Sequence, residues 1–484
     1  MFACGVVSAQ NRPIERAAEQ VRMALGLDGD RPEAGEVEDR REETDEPAAD
    51  TTPLGVDVVS IHLLSHQDQA TMDASPGSVP IRIEDALPAP ESLAGILEEY
   101  IGKPMSMALL AEIGKDIVLT WRESDYPLVD VYYPEQNITQ GKIQIVVREA
   151  VLGEKQVEGA KISREDYLVS NLRIESGDRI NKKTVASDID WLNENPLRQV
   201  NLIYEKGDAD GTTDLVLDVV EQKPISAYVG FANTGVNFTG QEEWSLGFTL
   251  SNPGRREHTL GYNFTSDLEW DNLHAHSLFY AAYLPWRHIF QVAGAHVTSE
   301  ALDNTVTDTN GLSRQLSFNY RIPLQRPDFN PSWRHYFSFA FDYKSTNTDL
   351  IFGGVNIFDN DLEVGQFRVA YEIDVPDDHG LTRASIGLVA SPGDMFGNNN
   401  DASFDLARIG SEANYYYFYG ELERLQRLPL DLTLRLKLRG QATSDRLTAT
   451  EQLLAGGYNT VRGFDEAVIR GDSGLISNLE LTSP

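Results

Sequence analysis

The stretch Leu430-Asp431-Leu432-Thr433-Leu434-Arg435-Leu436-Lys437-Leu438-Arg439 alternates strictly between leucine and polar residues. In a β-strand, successive side chains point to opposite faces, so one face of this segment is all leucine and the other is polar and charged. A face that apolar meets lipid or a core, and a face that charged meets water. The stretch therefore predicts one strand of a sheet that separates an apolar side from a hydrated side.

The same two-residue period recurs throughout the second half of the chain, after Pro224. Twelve segments of about ten residues show it, which is the length that a tilted strand needs to cross a bilayer. Tight connections follow every second segment, whereas longer polar stretches such as 347–362 and 391–412 lie between them. Residues 224–484 are therefore predicted to form an antiparallel transmembrane β-barrel. Its predicted strands are 225–233, 242–251, 258–265, 273–283, 289–298, 314–322, 334–344, 364–374, 382–390, 414–423, 430–439 and 475–482.

The first half of the chain mixes helical patterns with strands. Residues 55–149 have the order β-α-α-β-β, and residues 150–223 repeat it. A supersecondary unit that occurs twice in tandem is typical of a modular array. We therefore predict two α+β modules ahead of the barrel.

Three short segments precede these modules. Residues 1–9 are mostly apolar and end in small residues, so they are interpreted as the remnant of a signal peptide, with an ordinary disordered N-terminus as the alternative. Residues 10–27 carry an apolar stripe at helical spacing behind Pro13, which predicts a short amphipathic helix. Residues 28–54 are strongly acidic and have almost no large apolar residue, so they are predicted to be a disordered linker.

Composition excludes several classes of function. The 484-residue chain has a formal net charge of −34, which would repel a phosphate backbone, so no nucleic acid partner is expected. Cys4 is the only cysteine, so an intramolecular disulfide and a zinc site built from several cysteines are both ruled out. The sequence contains no run of about 18 apolar residues, and therefore only a closed barrel could carry it across a membrane.

A long loop joins the last two predicted strands and places one cation, Arg462, in a glycine-rich tip between Leu453 and Asp465. The tetrad Val461-Arg462-Gly463-Phe464, followed by Gly471-Asp472-Ser473-Gly474 and a further strand, resembles the sixth-loop signature of the outer-membrane assembly and secretion superfamily. The tandem modules match periplasmic POTRA modules in their β-α-α-β-β order. Over roughly residues 55–484, the chain is most similar to the two-partner secretion transporters, the haemolysin and filamentous-haemagglutinin activation and secretion proteins.

This resemblance implies an outer-membrane translocation pore whose POTRA-like modules lie in the periplasm, recognise an exported exoprotein and pass it through the barrel. The client would be a secreted adhesin or cytolysin, membrane lipid would be the other partner, and the helix at 10–27 would correspond to a plug. Transporters of this family have sixteen strands, so the chain is expected to be a fragment that ends after twelve, without the thirteenth-strand carboxylate that pairs with the tip arginine. An assembly factor of the same superfamily, which inserts barrels into the membrane, is the alternative function, and a passive porin is a third.

Arg462 is the strongest candidate for a functional residue, because a planar guanidinium can pair with a carboxylate on the barrel wall. Val461, Gly463 and Phe464 are expected to shape the tip around it, and a solvated surface arginine is the alternative interpretation. The possible neighbours of the loop share the polar faces of the last two predicted strands. They are Asp431, Arg435, Lys437, Arg439, Asn478 and Glu480.

No catalytic, metal or cofactor site is predicted. Gly471-Asp472-Ser473-Gly474 matches the nucleophile motif of chymotrypsin-like proteases, but no histidine and aspartate constellation accompanies it. His274 and His276 share one strand face, yet two histidines without a third ligand point into a lumen or an interface more often than they bind a metal. We therefore expect a transporter and not an enzyme.

Overall fold

The computed structural model describes residues 37–40, 50–72, 79–233, 235, 239–300, 307–327, 329–330, 332–352, 355–457, 460–464 and 468–483. The predicted signal remnant at 1–9 and the predicted helix at 10–27 lie outside these residues. The chain divides into two compact units, one of which is Pro32–Glu221 while the other contains Gln222–Pro484. Within the described ranges, none of the helices has the length and apolarity that crossing a bilayer requires.

The first module has its helices on one face of a four-stranded sheet with the order β3-β2-β5-β4. Helix α2 begins at Ser106, whose Oγ accepts the N–H of Leu109 at 3.1 Å, and it buries Ile113, Ile117 and Trp121 completely in the module core. Strand β1 comes first in the chain but belongs to the second module. The elements are β1 (Val37–Asp39), β2 (Ser60–Leu64), β3 (Ile81–Ile83), α1 (Leu93–Glu98), α2 (Met107–Arg122), β4 (Val129–Tyr132) and β5 (Lys142–Glu149).

The second module repeats the plan with its own core, and its sheet has the order β1-β7-β8-β6. Only Ala150 separates the last strand of the first module from the first strand of the second. Arg148 Nη1 also reaches Asp210 at 3.0 Å, so an ion pair bridges the two modules. The predicted β-α-α-β-β order is confirmed for both modules, with β3 as an addition in the first. The elements are β6 (Val151–Glu158), α3 (Glu165–Ser170), α4 (Lys182–Leu192), β7 (Arg198–Lys206) and β8 (Thr212–Glu221).

The acidic segment that was predicted to be disordered includes a strand. Strand β1 pairs in parallel with β7, with Val37 beside Leu202 and Asp39 beside Tyr204, and the N–H of Arg40 donates to the carbonyl of Tyr204 at 2.9 Å. An edge strand presents a row of unpaired N–H and C=O groups, which any extended segment can satisfy. The composition of the linker carries no signal for such a pairing, because the backbone and not the side chains makes it.

Glu221 fastens the end of β8 to the turn before α3. Its carboxylate accepts the backbone N–H groups of Lys161, Ile162 and Ser163 at 2.7, 2.7 and 2.6 Å. Burial acts to raise the pKa of Glu221, but the three N–H groups stabilise the carboxylate and hold that pKa below its ordinary value. The contribution to stability is therefore present above the unfolded pKa and is lost as the pH falls through the folded one.

Replacing Glu221 with glutamine is expected to speed the opening of this turn near neutral pH. The difference from wild type is expected to shrink as the pH falls below the ordinary glutamate pKa of about 4.3 and to vanish only below the lowered pKa of the folded protein, where the wild-type carboxyl is protonated as well. Hydrogen exchange at residues 161–163, compared between the two proteins at matched pH, measures the effect. A difference that stays constant from about pH 7 to about pH 3 would show that the charge of Glu221 contributes nothing.

The second unit is a twelve-stranded antiparallel sheet in which each strand pairs with its neighbours in chain order. The twelve predicted strands are therefore confirmed, and among the described residues β9 and β22 form the two edges of the sheet. The strands are β9 (Ile225–Ala232), β10 (Glu243–Ser251), β11 (His258–Asp267), β12 (Leu273–Tyr283), β13 (Ile289–Glu300), β14 (Thr307–Pro323), β15 (Arg334–Phe352), β16 (Val355–Asp377), β17 (Gly380–Pro392), β18 (Asn414–Leu428), β19 (Leu432–Ala442) and β22 (Gly474–Thr482).

Three strands are longer than predicted. Strands β14, β15 and β16 contain 17, 19 and 23 residues, and the stretch 347–362, which was expected to be a loop, belongs mostly to β15 and β16. Crossing a bilayer takes only about 9–11 residues per strand, so these strands extend past the apolar band. Their outer parts contain consecutive apolar residues, such as Leu350, Ile351 and Phe352, and consecutive polar residues, such as Asp359, Asn360 and Asp361, so they lack the alternation on which the prediction depended.

Asp431 is not on the charged face of β19. Leu430 and Asp431 have φ values of 66° and 55° and form the tight turn between β18 and β19, where Leu430 is 84% exposed. Because the alternation of leucine and polar residues continues through this turn, the sequence placed the start of the strand two residues early. Asp431 is therefore removed from the candidate neighbours of the loop.

Candidate functional site

The loop that carries Arg462 rises from a short two-stranded neck. Strand β20 (Leu453–Ala455) pairs antiparallel with β21 (Ile469–Gly471), which brings Leu453 beside Gly471. At the tip, Gly456, Gly457 and Gly463 have φ values of 110°, 96° and 90°, a region that residues with a Cβ rarely enter. The glycines of the motif are therefore needed for the turn itself.

The tip is docked on the polar face of β22. Arg462 Nη2 lies 2.8 Å from Glu480 Oε1, and the side-chain amide of Asn478 donates to the carbonyl of Thr460. Thr460 in turn accepts the N–H of Gly456 through its hydroxyl at 2.8 Å, which stiffens the turn. Two of the neighbours considered from the sequence, Asn478 and Glu480, are thus the residues that the tip contacts. Their role in gating stays a prediction.

Val461 and Phe464, the two apolar residues of the tetrad, are not buried. Phe464 is 62% exposed and Val461 is 37% exposed. The tip is therefore fixed by the polar contacts of Arg462 and Thr460 with β22, and not by burial of its apolar side chains.

The charges on the inward, polar face of the sheet are neutralised in pairs. Arg435 pairs with Glu423, and Arg439 Nε lies 3.0 Å from Glu421 Oε1. Lys437 stands between Glu423 and Asn478 as their cross-strand partner. Further along the same face, cations and carboxylates meet in three more pairs, which are Arg321 with Glu372, Arg368 with Asp342 and Lys344 with Glu451. A wall of paired charges holds water without a strong field of either sign.

The neck of the loop is anchored by Asp472. Its carboxylate receives Arg408 in a bidentate pair, with Nη2 to Oδ2 at 3.0 Å, and it also accepts Gln452 Nε2 at 2.9 Å and the N–H of Leu447 at 3.3 Å. Burial acts to raise the pKa of Asp472, but Arg408 and Gln452 outweigh it and hold the pKa below its ordinary value. One carboxylate therefore joins the neck to two neighbouring loop segments.

A second anchor lies on the rising limb of the loop. Glu451, whose side chain is 1% exposed, takes Lys344 Nζ at 2.7 Å and the hydroxyl of Tyr417 at 3.1 Å. Removing one partner of a buried pair leaves an uncompensated charge, which is costly. The loop is thus fixed to the wall of the sheet on both sides of its neck.

Arg408 follows a helix that the sequence analysis missed. Helix α5 (Asp401–Ala407) lies in the stretch 391–412, which was expected to be a polar loop, and Asn400 caps it by accepting the N–H of Ser403 at 3.1 Å. The capping asparagine and the apolar Phe404 behind it were the available signals. Phe404 is completely buried in an apolar cluster on the polar face of the sheet, with Leu362, Val364, Val389, Ala413, Tyr415, Tyr417 and Leu447.

Ser473, His274 and His276, which the sequence analysis considered as catalytic or metal-binding residues, have other locations and contacts in the structure. Ser473 of the protease-like tetrapeptide exchanges hydrogen bonds with the backbone of Thr443, at 2.9 and 3.0 Å, and closes the base of the loop. His274 and His276 lie on the outward face of β12 together with Leu278 and Tyr280, and so do not face the lumen. Among the described residues, no group of three or more metal-ligating side chains is assembled.

Comparison with known proteins identifies the relatives of this architecture. The model of the family described as haemolysin secretion/activation protein ShlB/FhaC/HecB matches residues 211–484. The Heme/hemopexin transporter protein HuxB of Haemophilus influenzae (strain ATCC 51907 / DSM 11121 / KW20 / Rd) is 21% identical over 403 residues, which are 81% of this chain and 68% of that protein. The Outer membrane transporter CdiB-2 of Burkholderia pseudomallei (strain 1026b) is 23% identical over 416 residues, which are 80% of this chain and 64% of that protein.

Two solved structures have the same fold. CdiB from Escherichia coli superposes with a TM-score of 0.67 at 17% identity, and CdiB from Acinetobacter baumannii with a TM-score of 0.59 at 15% identity. In both cases the match covers 97% of this chain and 84% of the other. The fold of two α+β modules followed by a β-barrel is therefore established for this chain.

Proposed function

Because the chain belongs to the haemolysin secretion/activation protein family, and so is a two-partner secretion transporter of the outer membrane with its POTRA modules in the periplasm, we propose how it takes up its client. An extended segment of the secreted exoprotein pairs with the edge of β7 in the second module. The client then passes unfolded through the barrel, while the Arg462 loop acts as the gate. This assignment replaces the alternative of a factor that inserts barrels into the membrane.

The observation that carries the proposal is the parallel pairing of β1 with β7. Among the described residues, three positions of the nine-residue strand β7, which are Leu202, Ile203 and Tyr204, pair with β1. The edge therefore accepts an extended strand in parallel orientation. Strand addition lets main-chain hydrogen bonds supply affinity while side chains select the sequence.

The contacts that hold β1 are weak enough to be displaced. Arg40 Nη1 lies 3.3 Å from Glu205, and Arg122 Nη2 lies 3.7 Å from Asp39. These side chains are partly exposed, and ion pairs at the surface typically contribute about 0.2–1 kcal/mol each. A client strand that pairs along all of β7 replaces β1 in this proposal.

The client itself is proposed to be a secreted adhesin or cytolysin, as in the transporters that the chain resembles. A polypeptide that moves along the lumen meets the paired charges of Arg435, Arg439 and their partners, which bind neither acidic nor basic segments strongly. We propose no catalytic step and no cofactor. Transport would be driven by folding of the client outside the cell.

Replacing Arg40 with proline is expected to raise the affinity of the chain for the client's extended segment by about fivefold, because proline removes the hydrogen bond to Tyr204 and about 1 kcal/mol of β1 pairing. Fluorescence anisotropy of a labelled N-terminal fragment of the exoprotein, titrated with the detergent-solubilised protein, measures the affinity. Arg40→Ala is the matched control, because it removes the side-chain pairs but keeps the backbone N–H.

Photo-crosslinking shows which edge of the second module binds the client. A photo-crosslinking residue in place of Glu205, beside the β7 edge, is expected to capture the client, whereas the same residue in place of Glu154, on the opposite edge strand β6, is not. Equal affinity of Arg40→Pro and Arg40→Ala, together with capture at position 154 and not at 205, would exclude β7 as the docking edge.

A further inference from the structure

Three basic side chains stand side by side on the outward face of the sheet. In the strand registers, His276 of β12 is opposite His296 of β13, and His296 is opposite Arg314 of β14. All three are exposed. Neighbouring strands are about 4.8 Å apart, so this basic row, His276, His296 and Arg314, extends over about 10 Å.

The row marks the border of the apolar band. Two residues nearer the short turns, the same three strands present Leu278, Gly294 and Leu316. In the other direction lie the loop between β11 and β12 and the stretch between β13 and β14. A cation on the lipid face costs about 2–4 kcal/mol at the bilayer midplane but close to nothing at the interface. The row therefore lies at the level of the lipid head groups, on the side opposite the short periplasmic turns.

The donors of the row are oriented outward. The hydroxyl of Tyr262 lies 2.8 Å from Nδ1 of His276. When this hydroxyl donates a hydrogen bond to Nδ1, the imidazole proton is on Nε2, which points away from the tyrosine. Within the described part of the chain, Arg314 forms no ion pair. A guanidinium fork next to two imidazoles is a donor set suited to phosphate oxygens.

We propose that this basic row binds the phosphorylated sugar head group of a glycolipid in the outer leaflet of the outer membrane. The chain carries a formal net charge of −34, so a lipid-facing cluster in which Arg314 supplies a fixed positive charge and two histidines supply N–H donors differs locally from the rest of the molecule. Basic clusters between membrane-embedded elements recognise anionic head groups through charge and hydrogen bonding. The short-turn side of the barrel faces the other leaflet and offers no such row among the described residues.

The periplasmic end of the sheet supplies a matched control. There His258 and His288 are each paired with a tyrosine, with Tyr280 at 2.9 Å and with Tyr320 at 2.7 Å. They share the outward face and the residue type of the row but lie at the opposite end of the strands. If the loss of any outward-facing histidine weakened glycolipid binding, substitutions in either set would therefore weaken it.

The test counts bound lipid by native mass spectrometry of the detergent-purified protein, titrated with lipid A that carries two phosphates. The variant His276→Gln/His296→Gln/Arg314→Gln is expected to weaken this binding by about tenfold or more, whereas His258→Gln/His288→Gln binds as wild type. Wild type is expected to bind dephosphorylated lipid A and phosphatidylglycerol no better than the triple variant binds lipid A, and inorganic phosphate is not expected to compete at millimolar concentration.

Four outcomes would overturn the proposal. They are equal binding by wild type and the triple variant, equal loss in both variants, equal binding of phosphatidylglycerol by wild type, and displacement of lipid A by free phosphate. Heat-modifiable mobility in gels shows whether each variant retains its barrel. A triple variant that does not fold is replaced by Arg314→Gln alone, for which the same comparison applies.

Discussion

Secretion of the exoprotein is expected to fall by up to about fivefold when Arg462 is replaced by alanine. The guanidinium holds the loop tip on β22 through Glu480, and an exposed ion pair of about 0.2–1 kcal/mol sets a factor of up to about 5 between the docked and undocked states of the loop. Without it, the contact between Thr460 and Asn478 still joins the tip to β22. Client protein in the medium, measured against client protein in the periplasm, reports the effect.

Partner variants distinguish the ion pair from a general effect on the loop. Glu480→Gln is expected to reproduce most of the loss, and the exchange Arg462→Glu/Glu480→Arg is expected to recover part of it. Arg462→Lys keeps the charge but not the planar fork, and so should be intermediate. Full secretion by Arg462→Ala, with normal amounts of protein in the membrane, would contradict a gating role for the docked tip.

The second large effect is expected from Asp472→Asn. This change removes the acceptor of a bidentate arginine pair, and hydrogen bonds to charged groups contribute about 1.5–3 kcal/mol each. The neck of the loop should therefore open far more often, with faster hydrogen exchange at Leu453–Ala455 and unstable currents in planar bilayers. Secretion should fall in parallel, because the tip cannot dock reproducibly on a loose neck.

Arg408→Gln removes the other half of the same pair and should give the same changes, with little added effect in the double variant. Asp405→Asn is the matched control on helix α5, since Asp405 accepts the N–H of Gly410 at 2.7 Å and does not touch the neck. An unchanged neck in Asp472→Asn, or an equal change in Asp405→Asn, would show that Asp472 does not anchor the loop.

Local periodicity made the architecture predictable. Lipid on one side of the sheet and water on the other impose alternation on every strand, as in Leu434, Arg435 and Leu436, so twelve strands could be counted without knowing their partners. Alternation did not identify strand residues where both faces of the sheet meet water. Beyond the bilayer, β15 and β16 no longer alternate between apolar and polar residues, and at the turn Leu430 keeps the pattern although it lies outside the strand.

The contacts of the site depend on residues that are distant in sequence. The sequence indicated the tip arginine and the polar face of the last strand, but only the register of β19 with β22 brings Glu480 within reach of Arg462. Asp472 was considered only within the tetrapeptide Gly471-Asp472-Ser473-Gly474 and not as an anchor, because its partner Arg408 follows a helix that was not recognised in a polar stretch. Strand β1 was missed because its pairing is made by backbone groups.

The most direct test of the transport function is the fate of the exoprotein in cells with and without this protein. The protein is expressed in an outer membrane that has no other transporter of its family, together with a candidate exoprotein from the same organism, and the exoprotein is measured in the medium and the periplasm. We predict that the exoprotein reaches the medium only when the transporter is present. Secretion that does not depend on the protein, with outer-membrane barrels failing to assemble in its absence, would contradict this account.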